Sequence, residues 1–149
     1  IIHRSLKTST IYLDEILSPK LGDFGLSTRF LSLDSITHQS ISGIRASHIY
    51  SSPEVLLSNE YCKSSDVYSF SLIVYEIMNN KLPFENDKNM NLILNEVVNK
   101  GIRPKINEDL PESYHNLIKH CWLQDPKERL TFNEIVELLK HNKRKIESN

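Results

Sequence analysis

The chain has 149 residues, of which 39% are hydrophobic and 25% charged, values typical of one globular domain. Its formal net charge of −1 gives no general attraction to nucleic acid or acidic lipid, so neither partner is predicted. No apolar run approaches the roughly 20 residues that a bilayer span needs, and the sequence therefore predicts no membrane span.

The cysteine and histidine content argues against a disulfide framework and against a metal cluster. Cys62 and Cys121 lie far apart and in no metal-ligand spacing. His115 and His120 fall on a predicted helix, but their spacing is one residue longer than a metal pair on one helix face requires. We expect a reducing, cytoplasmic setting. The basic stretch 140–145 is interpreted as a solvated helix end rather than a targeting or lipid-binding patch.

The first thirty residues or so carry short apolar runs separated by turns, a pattern that predicts small strands flanking loops. The runs are residues 11–13 and 20–22, with a turn signal at Ser18 and Pro19. Residues 27–51 follow and are rich in serine and threonine. A connection of this length in a compact domain is usually functional or mobile.

Helical periodicity begins at about Ser65 and predicts a first helix that ends by Asn80. Its apolar residues cover nearly every face, so we expect it to be buried all round. A second helix is predicted from about Asp87 to Lys100, with Gly101 in the place of a left-handed cap.

Two further helices are predicted in the last third of the chain. One begins near Pro111, since proline suits a first turn. The other starts at Thr131, where Thr131 and Glu134 match a capping box. The apolar stripe of the helix that follows Pro111 is interpreted as core, and it consists of Tyr114, Leu117, Ile118, Cys121 and Trp122.

Four short motifs occur in order along the chain: HRSLK at residues 3–7, DFG at 23–25, SPE at 52–54 and DVYSFS at 66–71. A lone Asp-Phe-Gly is weak evidence because any turn can use it, but the other three motifs give it weight. In this order they closely resemble the C-terminal lobe of a eukaryotic protein kinase.

The resemblance covers essentially the whole chain and is closest to the tyrosine-kinase-like group, in its serine/threonine-specific form. Lys7, and Ser47 in the place of a threonine of the substrate-facing loop, both favour that form over tyrosine specificity. The implied fold is mainly α, a kinase C-terminal lobe with a few short β-strands around the catalytic loop and no N-lobe. Residues 1–149 would then be a partial kinase domain, with 23–54 as its activation segment. The later matching positions are Gly101, Arg103, Pro104, Cys121, Trp122, Asp125, Pro126, Arg129, Thr131 and Phe132.

The resemblance implies two altered catalytic positions. In the family, an aspartate at the Ser5 position accepts the proton of the substrate hydroxyl, whereas a serine hydroxyl is not a base near pH 7. The asparagine expected to hold a second magnesium ion is replaced by Thr10. A hydroxyl can touch magnesium but does not have the same reach. We expect an impaired site rather than a strictly inactive one.

Three other residues would complete the site. Asp23 is the remaining metal carboxylate, and Lys7 would face the transferred phosphate. Tyr12 lies where the family places a leucine under the adenine, so its ring either stacks on the base or crowds the pocket. Crowding is the interpretation we prefer. The alternative for Asp23 and Lys7 is a relic scaffold, with Asp23 capping a turn and Lys7 solvated.

The cofactors implied by the family are ATP and magnesium. The glycine-rich loop, the strand lysine and its glutamate partner precede the catalytic loop in the family, and none occurs here. We therefore expect nucleotide binding to be weak or absent in this chain. The helix that the family packs against the first predicted helix is also missing. We expect an uncovered apolar face, and hence either a fragment of a longer product or a protein partner.

Several residues are implied to be architectural. Glu54 and Arg129 resemble the family's buried ion pair, and Asp66 is expected to accept hydrogen bonds from the backbone of His3 and Arg4. Arg4 would also be placed to bind a phosphate on the following loop. The alternative, which we prefer, is that the loop hydroxyls are ordinary exposed groups. The hydroxyls concerned are Ser35, Thr37, Ser40 and Ser42.

Three functions remain open from the sequence. The preferred one is a pseudokinase-like domain that acts as a protein-binding or signalling scaffold. The second is an ATP-dependent serine/threonine protein kinase whose N-lobe is supplied by the full-length chain. The third is a remnant without function.

Overall fold

A computed structural model describes residues 1–27, 48–87 and 89–147, with side chains up to residue 144. Within these residues the chain is mainly helical and carries one two-stranded sheet near its start, which confirms the predicted fold class. None of the described helices is long and apolar enough to cross a bilayer. The elements are β1 (Ile11–Leu13), β2 (Pro19–Leu21), α1 (Pro53–Ser58), α2 (Lys63–Asn79), α3 (Met90–Lys100), α4 (Glu112–Cys121) and α5 (Phe132–Glu147).

The strands β1 and β2 form an antiparallel hairpin in which Ile11 lies opposite Leu21. Asp14 organises the turn between them, because its Oδ1 accepts hydrogen bonds from the backbone N–H groups of Ile16 (3.1 Å) and Ser18 (2.8 Å). The predicted strands are therefore confirmed. The hairpin carries the chain from the catalytic-loop motif to the Asp-Phe-Gly motif.

Helix α2 is the central element of the fold. It begins two residues before the predicted start and ends at Asn79, as predicted. The middle of the helix is buried, with Leu72 at 0% exposure. The expectation that it is buried all round is wrong for Ile77, which is 67% exposed. An apolar side chain in a helical pattern is usually taken as buried, but no other part of the described residues covers Ile77.

The core lies where α2 packs against α4. The predicted stripe of α4 is confirmed as core, because four of its members are buried and Tyr114 is half-buried against them. Ile135 of α5 closes the same core at 2% exposure. The buried apolar residues of α2 and α4 are Val67, Tyr68, Leu72, Ile73, Tyr75, Leu117, Ile118 and Cys121, with Trp122 directly after α4.

The ends of α3 follow simple local chemistry. The helix starts at Met90, three residues after the predicted start, because the Asn89 side chain accepts a hydrogen bond from Leu92 N–H (3.2 Å) and caps it there. It ends at Gly101, whose φ of 67° is the left-handed conformation predicted for that position.

The start of α5 is the predicted capping box. Thr131 Oγ1 accepts a hydrogen bond from Glu134 N–H (3.3 Å), and Glu134 Oε2 accepts one from Thr131 N–H (2.7 Å). The bond from Thr131 N–H, followed by one that Thr131 Oγ1 donates to the same carboxylate oxygen (2.8 Å), lowers the pKa of the Glu134 carboxyl. Helix α1 was not predicted, although Pro53 at its first position and Glu54 in its first turn are ordinary signals of a helix start.

Candidate active site

The catalytic-loop motif is anchored on the first turn of α2. Asp66 Oδ2 accepts a hydrogen bond from His3 N–H (2.6 Å), and Asp66 Oδ1 accepts one from Arg4 N–H (3.0 Å). Burial raises the pKa of the Asp66 carboxyl, although these two bonds oppose the rise. The bracing of the loop by Asp66 is thus confirmed.

His3 connects this loop to the Asp-Phe-Gly motif. Its Nε2 lies 2.8 Å from the carbonyl oxygen of Gly22, which can only accept, so Nε2 carries a hydrogen. Its Nδ1 accepts a hydrogen bond from Ser5 N–H (3.3 Å). The two bonds together select the neutral tautomer with the hydrogen on Nε2. The His3 ring also meets the Phe24 ring in an edge-to-face contact, with centroids 4.8 Å apart.

Asp23 adopts a left-handed backbone conformation, with φ 61° and ψ 51°, at the start of a short 3-10 helical turn over Phe24–Leu26. This conformation is uncommon for residues other than glycine, and aspartate is among those that tolerate it best. The turn brings the Asp23 carboxylate next to the catalytic loop. Its Oδ2 accepts a hydrogen bond from Ser5 Oγ at 3.3 Å.

Ser5 is almost fully buried, with 8% of its surface exposed. Its hydroxyl hydrogen is directed at Asp23, so the hydroxyl acts as a donor toward the carboxylate. In this arrangement the Ser5 hydroxyl is uncharged and does not accept a proton. Asp23 is the ionisable group next to it.

Thr10 is turned into the loop. It is 2% exposed, and its hydroxyl accepts a hydrogen bond from Lys7 N–H (3.2 Å) while it donates to the carbonyl oxygen of Lys7 (2.8 Å). Its backbone oxygen accepts from Gly22 N–H (2.9 Å). Thr10 therefore links the main chain of the catalytic loop at Lys7 to the end of the hairpin at Gly22.

A cleft of about 350 Å³ opens beside the loop and brings together Ser5, Lys7 and Asp23. These are three of the five predicted site residues. Thr10 and Tyr12 are not part of its lining. Thr10 is buried behind the loop, and Tyr12 lies on β1 with 57% of its surface exposed.

The donor chemistry at the cleft suits one magnesium ligand. Magnesium is typically held by one or two carboxylates together with phosphate oxygens and water. Asp23 supplies one carboxylate, and Lys7 supplies a positive charge on the same cleft. The metal, catalytic and nucleotide roles assigned to these residues from the sequence stay predictions.

The ion pair implied at the end of the SPE motif is present. Arg129 donates from Nη1 to Glu54 Oε1 and from Nη2 to Glu54 Oε2, both at 2.8 Å, and its side chain has 0% exposure. Burial alone would raise the pKa of the Glu54 carboxyl. The hydrogen bonds and charge of Arg129 outweigh that effect, so the pKa is lowered. The bidentate pair fixes α1 against the segment that precedes α5.

A second polar network was missed from the sequence. Tyr50 Oη donates to Glu76 Oε2 (2.5 Å), and Thr8 Oγ1 donates to Glu76 Oε1 (3.2 Å). Burial, followed by the bond to Glu76, raises the pKa of Tyr50 to about 12. The available signal was Glu76 itself, a carboxylate inside an apolar stretch of α2 that needs a partner.

The prediction for Arg4 lies partly outside the described residues, because Ser35, Thr37, Ser40 and Ser42 are not among them, and neither is Ser47. Arg4 itself lines the cleft. Its guanidinium lies over the ring of Tyr61, 4.3 Å from the ring centroid.

Comparison with known sequences agrees with this geometry. A profile of the protein kinase domain matches residues 1–141. The chain therefore belongs to the protein kinase domain family. Proteins of this family generally transfer phosphate from ATP with the help of magnesium.

Three similar proteins come from Dictyostelium discoideum. Dual specificity protein kinase shkC is 35% identical over 140 residues, which is 94% of this chain and 27% of that protein. Probable serine/threonine-protein kinase drkC is 34% identical, covering 93% and 18% of the two chains. RGS domain-containing serine/threonine-protein kinase A is 37% identical, covering 93% and 12%. The chain thus spans between 12% and 27% of the length of these relatives.

Proposed function

We propose that this chain is a partial protein kinase domain of the tyrosine-kinase-like group, serine/threonine type, whose phosphate transfer is impaired and which acts as a protein-binding module in signalling. The observation that carries the proposal is the hydrogen bond from Ser5 Oγ to Asp23 Oδ2. At the position of the family's base, this chain presents a hydroxyl whose hydrogen faces the metal carboxylate.

The loss of the base sets the size of the impairment. A positioned general base contributes about 10²–10⁴ to the rate, so its replacement by a hydroxyl leaves a slow reaction rather than none. Thr10 adds to the loss, because its hydroxyl is already bonded to the main chain of Lys7 and is buried. The second metal position of the family would therefore be empty or weak in this chain.

The remaining cofactor contacts are assigned to three residues. Asp23 would hold the magnesium ion that accompanies ATP, and Lys7 would face the transferred phosphate. Tyr12 would meet the adenine side of the nucleotide from β1. Residues 23–54 would be the activation segment, of which 23–27 and 48–54 are described.

A binding role is supported by what the chain retains and by what it exposes. The braces of the fold are present at Asp66 and at the pair of Glu54 and Arg129. At the hairpin turn, Ile16 and Leu17 are 82% and 73% exposed. Exposed apolar groups of this kind suit burial against another protein surface, either a segment such as the N-lobe or a separate partner.

An active serine/threonine kinase is the second candidate. It is favoured by the presence of Ser5, Lys7 and Asp23 on one cleft and by relatives whose names describe them as protein kinases. In that case the full natural protein would supply the missing phosphate contacts, and another group would accept the proton.

The two candidates are separated by assays on the full natural protein that contains these residues. Magnesium-dependent ATP binding is measured by calorimetry, and phosphate transfer to a generic basic protein is measured with labelled ATP. We expect weak binding, which Asp23→Asn removes, and slow transfer that Ser5→Asp with Thr10→Asn accelerates. Ser9→Asp, at an exposed position of the same loop, is the matched control for the added charge and should change nothing. Rapid transfer by the unmodified protein would contradict the proposal, and absence of binding at millimolar ATP would remove the enzyme candidate.

A further inference from the structure

The backbone conformation of Gly22, the residue before Asp23, does not require a glycine. Among the described glycines, Gly101 has a positive φ and Gly22 does not. An alanine would therefore fit the main-chain conformation at this position. The need for glycine must come from its surroundings.

The surroundings of Gly22 are occupied by the ring of Tyr12. A Cβ atom at position 22 would lie 2.6 Å from Tyr12 Cε2 and 3.0 Å from Tyr12 Cδ2, which is closer than carbon atoms pack. The Cδ2–Cε2 edge of the ring thus fills the space of the absent side chain. Tyr12 and Gly22 form a matched pair across the hairpin.

The main chain of Gly22 is held on its polar sides as well. Its N–H donates to the carbonyl oxygen of Thr10 (2.9 Å), and its carbonyl oxygen accepts from His3 Nε2 (2.8 Å). The Tyr12 edge packs where a Cβ atom would otherwise lie. Gly22 is therefore fixed by three residues immediately before the left-handed turn at Asp23.

We propose that Tyr12 is a positioning residue for Asp23, because its ring edge, acting through Gly22, holds the turn in which the Asp23 carboxylate meets Ser5. The functional meaning of that turn rests on the proposed role of Asp23 as metal carboxylate. The positioning itself is a property of the chain without nucleotide. The family resemblance places the Tyr12 ring at the adenine pocket, where it either stacks on the base or crowds the pocket, and the contact with Gly22 gives it a second role.

The test follows the backbone of Asp23 by nuclear magnetic resonance in the chain of residues 1–149 without nucleotide. A residue with positive φ gives a strong nuclear Overhauser effect between its own amide and α hydrogens. Gly22→Ala should weaken this signal, because Tyr12 is 57% exposed and its ring can rotate away from the new methyl group. Tyr12→Ala adds no atoms and should weaken the signal in the same way.

Two controls separate positioning from general loosening of the hairpin. Tyr12→Phe should keep the Asp23 signal, since ring carbons make the contact. Leu13→Ala, at the next and similarly exposed position (62% against 57% for Tyr12) on the other side of β1, should also keep it.

A double substitution supplies the decisive comparison. Once Tyr12 is alanine, Gly22→Ala should cause no further loss of the Asp23 signal, and it should raise the urea midpoint because alanine restricts the unfolded chain. An unchanged Asp23 signal in Gly22→Ala or Tyr12→Ala would overturn the proposal, as would its loss in Tyr12→Phe. Because no nucleotide or transfer is measured, these outcomes stand apart from the test of the proposed function.

Discussion

At the scale of single residues, the retained ion pair of Arg129 and Glu54 contrasts with the uncharged Ser5. Arg129 retains a bidentate partner in Glu54, whereas Ser5 stands where an acid is expected and carries no charge. A buried charge is tolerated only when it is paired and hydrogen-bonded. Substitution of the retained pair is therefore expected to change the free energy of unfolding, and substitution of Ser5 the rate of phosphate transfer.

Arg129→Met should strongly destabilise the domain. It leaves the Glu54 carboxylate without its partner in a site where the arginine side chain has 0% exposure, and loss of one partner of a buried pair costs about 3–5 kcal/mol. The free energy of unfolding from urea titration is the measurement. Lys105→Met is the matched control, since Lys105 and Glu108 form a pair that is more than 80% exposed at both side chains and should contribute little. Equal effects of the two substitutions would argue against the role of the buried pair.

The same pair predicts a pH dependence. The pKa of Glu54 is lowered in the folded protein from its ordinary value of 4.5, so its contribution to stability is present above pH 4.5 and is lost as the pH falls through the folded pKa. The stability difference between the unmodified chain and Glu54→Gln should therefore shrink below pH 4.5. Asp66, whose pKa is raised, contributes with the opposite sign and is present in both proteins. A difference that stays constant from pH 7 to pH 3 would contradict the assignment.

At the scale of elements, the ends of helices depend on a few residues in the left-handed conformation. Asn59, Asn80 and Gly101 occupy such positions after α1, α2 and α3, with φ of 59°, 50° and 67°. Glycine adopts this conformation without a steric clash because it has no Cβ atom, and asparagine tolerates it better than most other residues. The sequence signal was clear for the glycine and weak for the two asparagines.

Gly101→Ala should shorten or strain the end of α3. A side chain in the left-handed region costs about 1–2 kcal/mol, while the added Cβ would make only an ordinary contact with Gln124 Oε1 at 3.5 Å. Asn80→Gly, at the corresponding cap of α2, should leave stability unchanged or raise it slightly. Thermal unfolding of both variants is the measurement, and a stable Gly101→Ala would show that the cap is not needed.

The elements also show what sequence patterns can reach. Helices α2 to α5 follow from periodicity and caps because each is long enough to repeat its pattern. Helix α1 has six residues, too few for a repeat, and it was missed. The contact of Tyr50 with Glu76 and Thr8 was missed for another reason: three separate segments must meet before any of these groups finds its partner.

At the scale of the whole molecule, the described residues form a helical core with the β1–β2 hairpin near its start. A cleft beside the catalytic-loop motif is lined by Ser5, Lys7 and Asp23. The anchoring of the loop by Asp66 and the pairing of Glu54 with Arg129 were anticipated from family resemblance, since no local pattern links residues so far apart in the chain. The resemblance did not anticipate that Tyr12 rests on Gly22. That contact depends on the identity of both residues, because a Cβ atom at position 22 would lie 2.6 Å from Tyr12 Cε2.

The central claim is that the Ser5 hydroxyl is not a base, and the most direct test is the rate of phosphate transfer from magnesium-ATP by the full natural protein and its Ser5 variants. Ser5→Ala should transfer phosphate at the same residual rate as the unmodified protein, because removal of the hydroxyl removes no base. Ser5→Asp combined with Thr10→Asn should raise the rate by about 10²–10⁴. A clear loss of rate in Ser5→Ala, or no gain in the double variant while ATP still binds, would contradict the account.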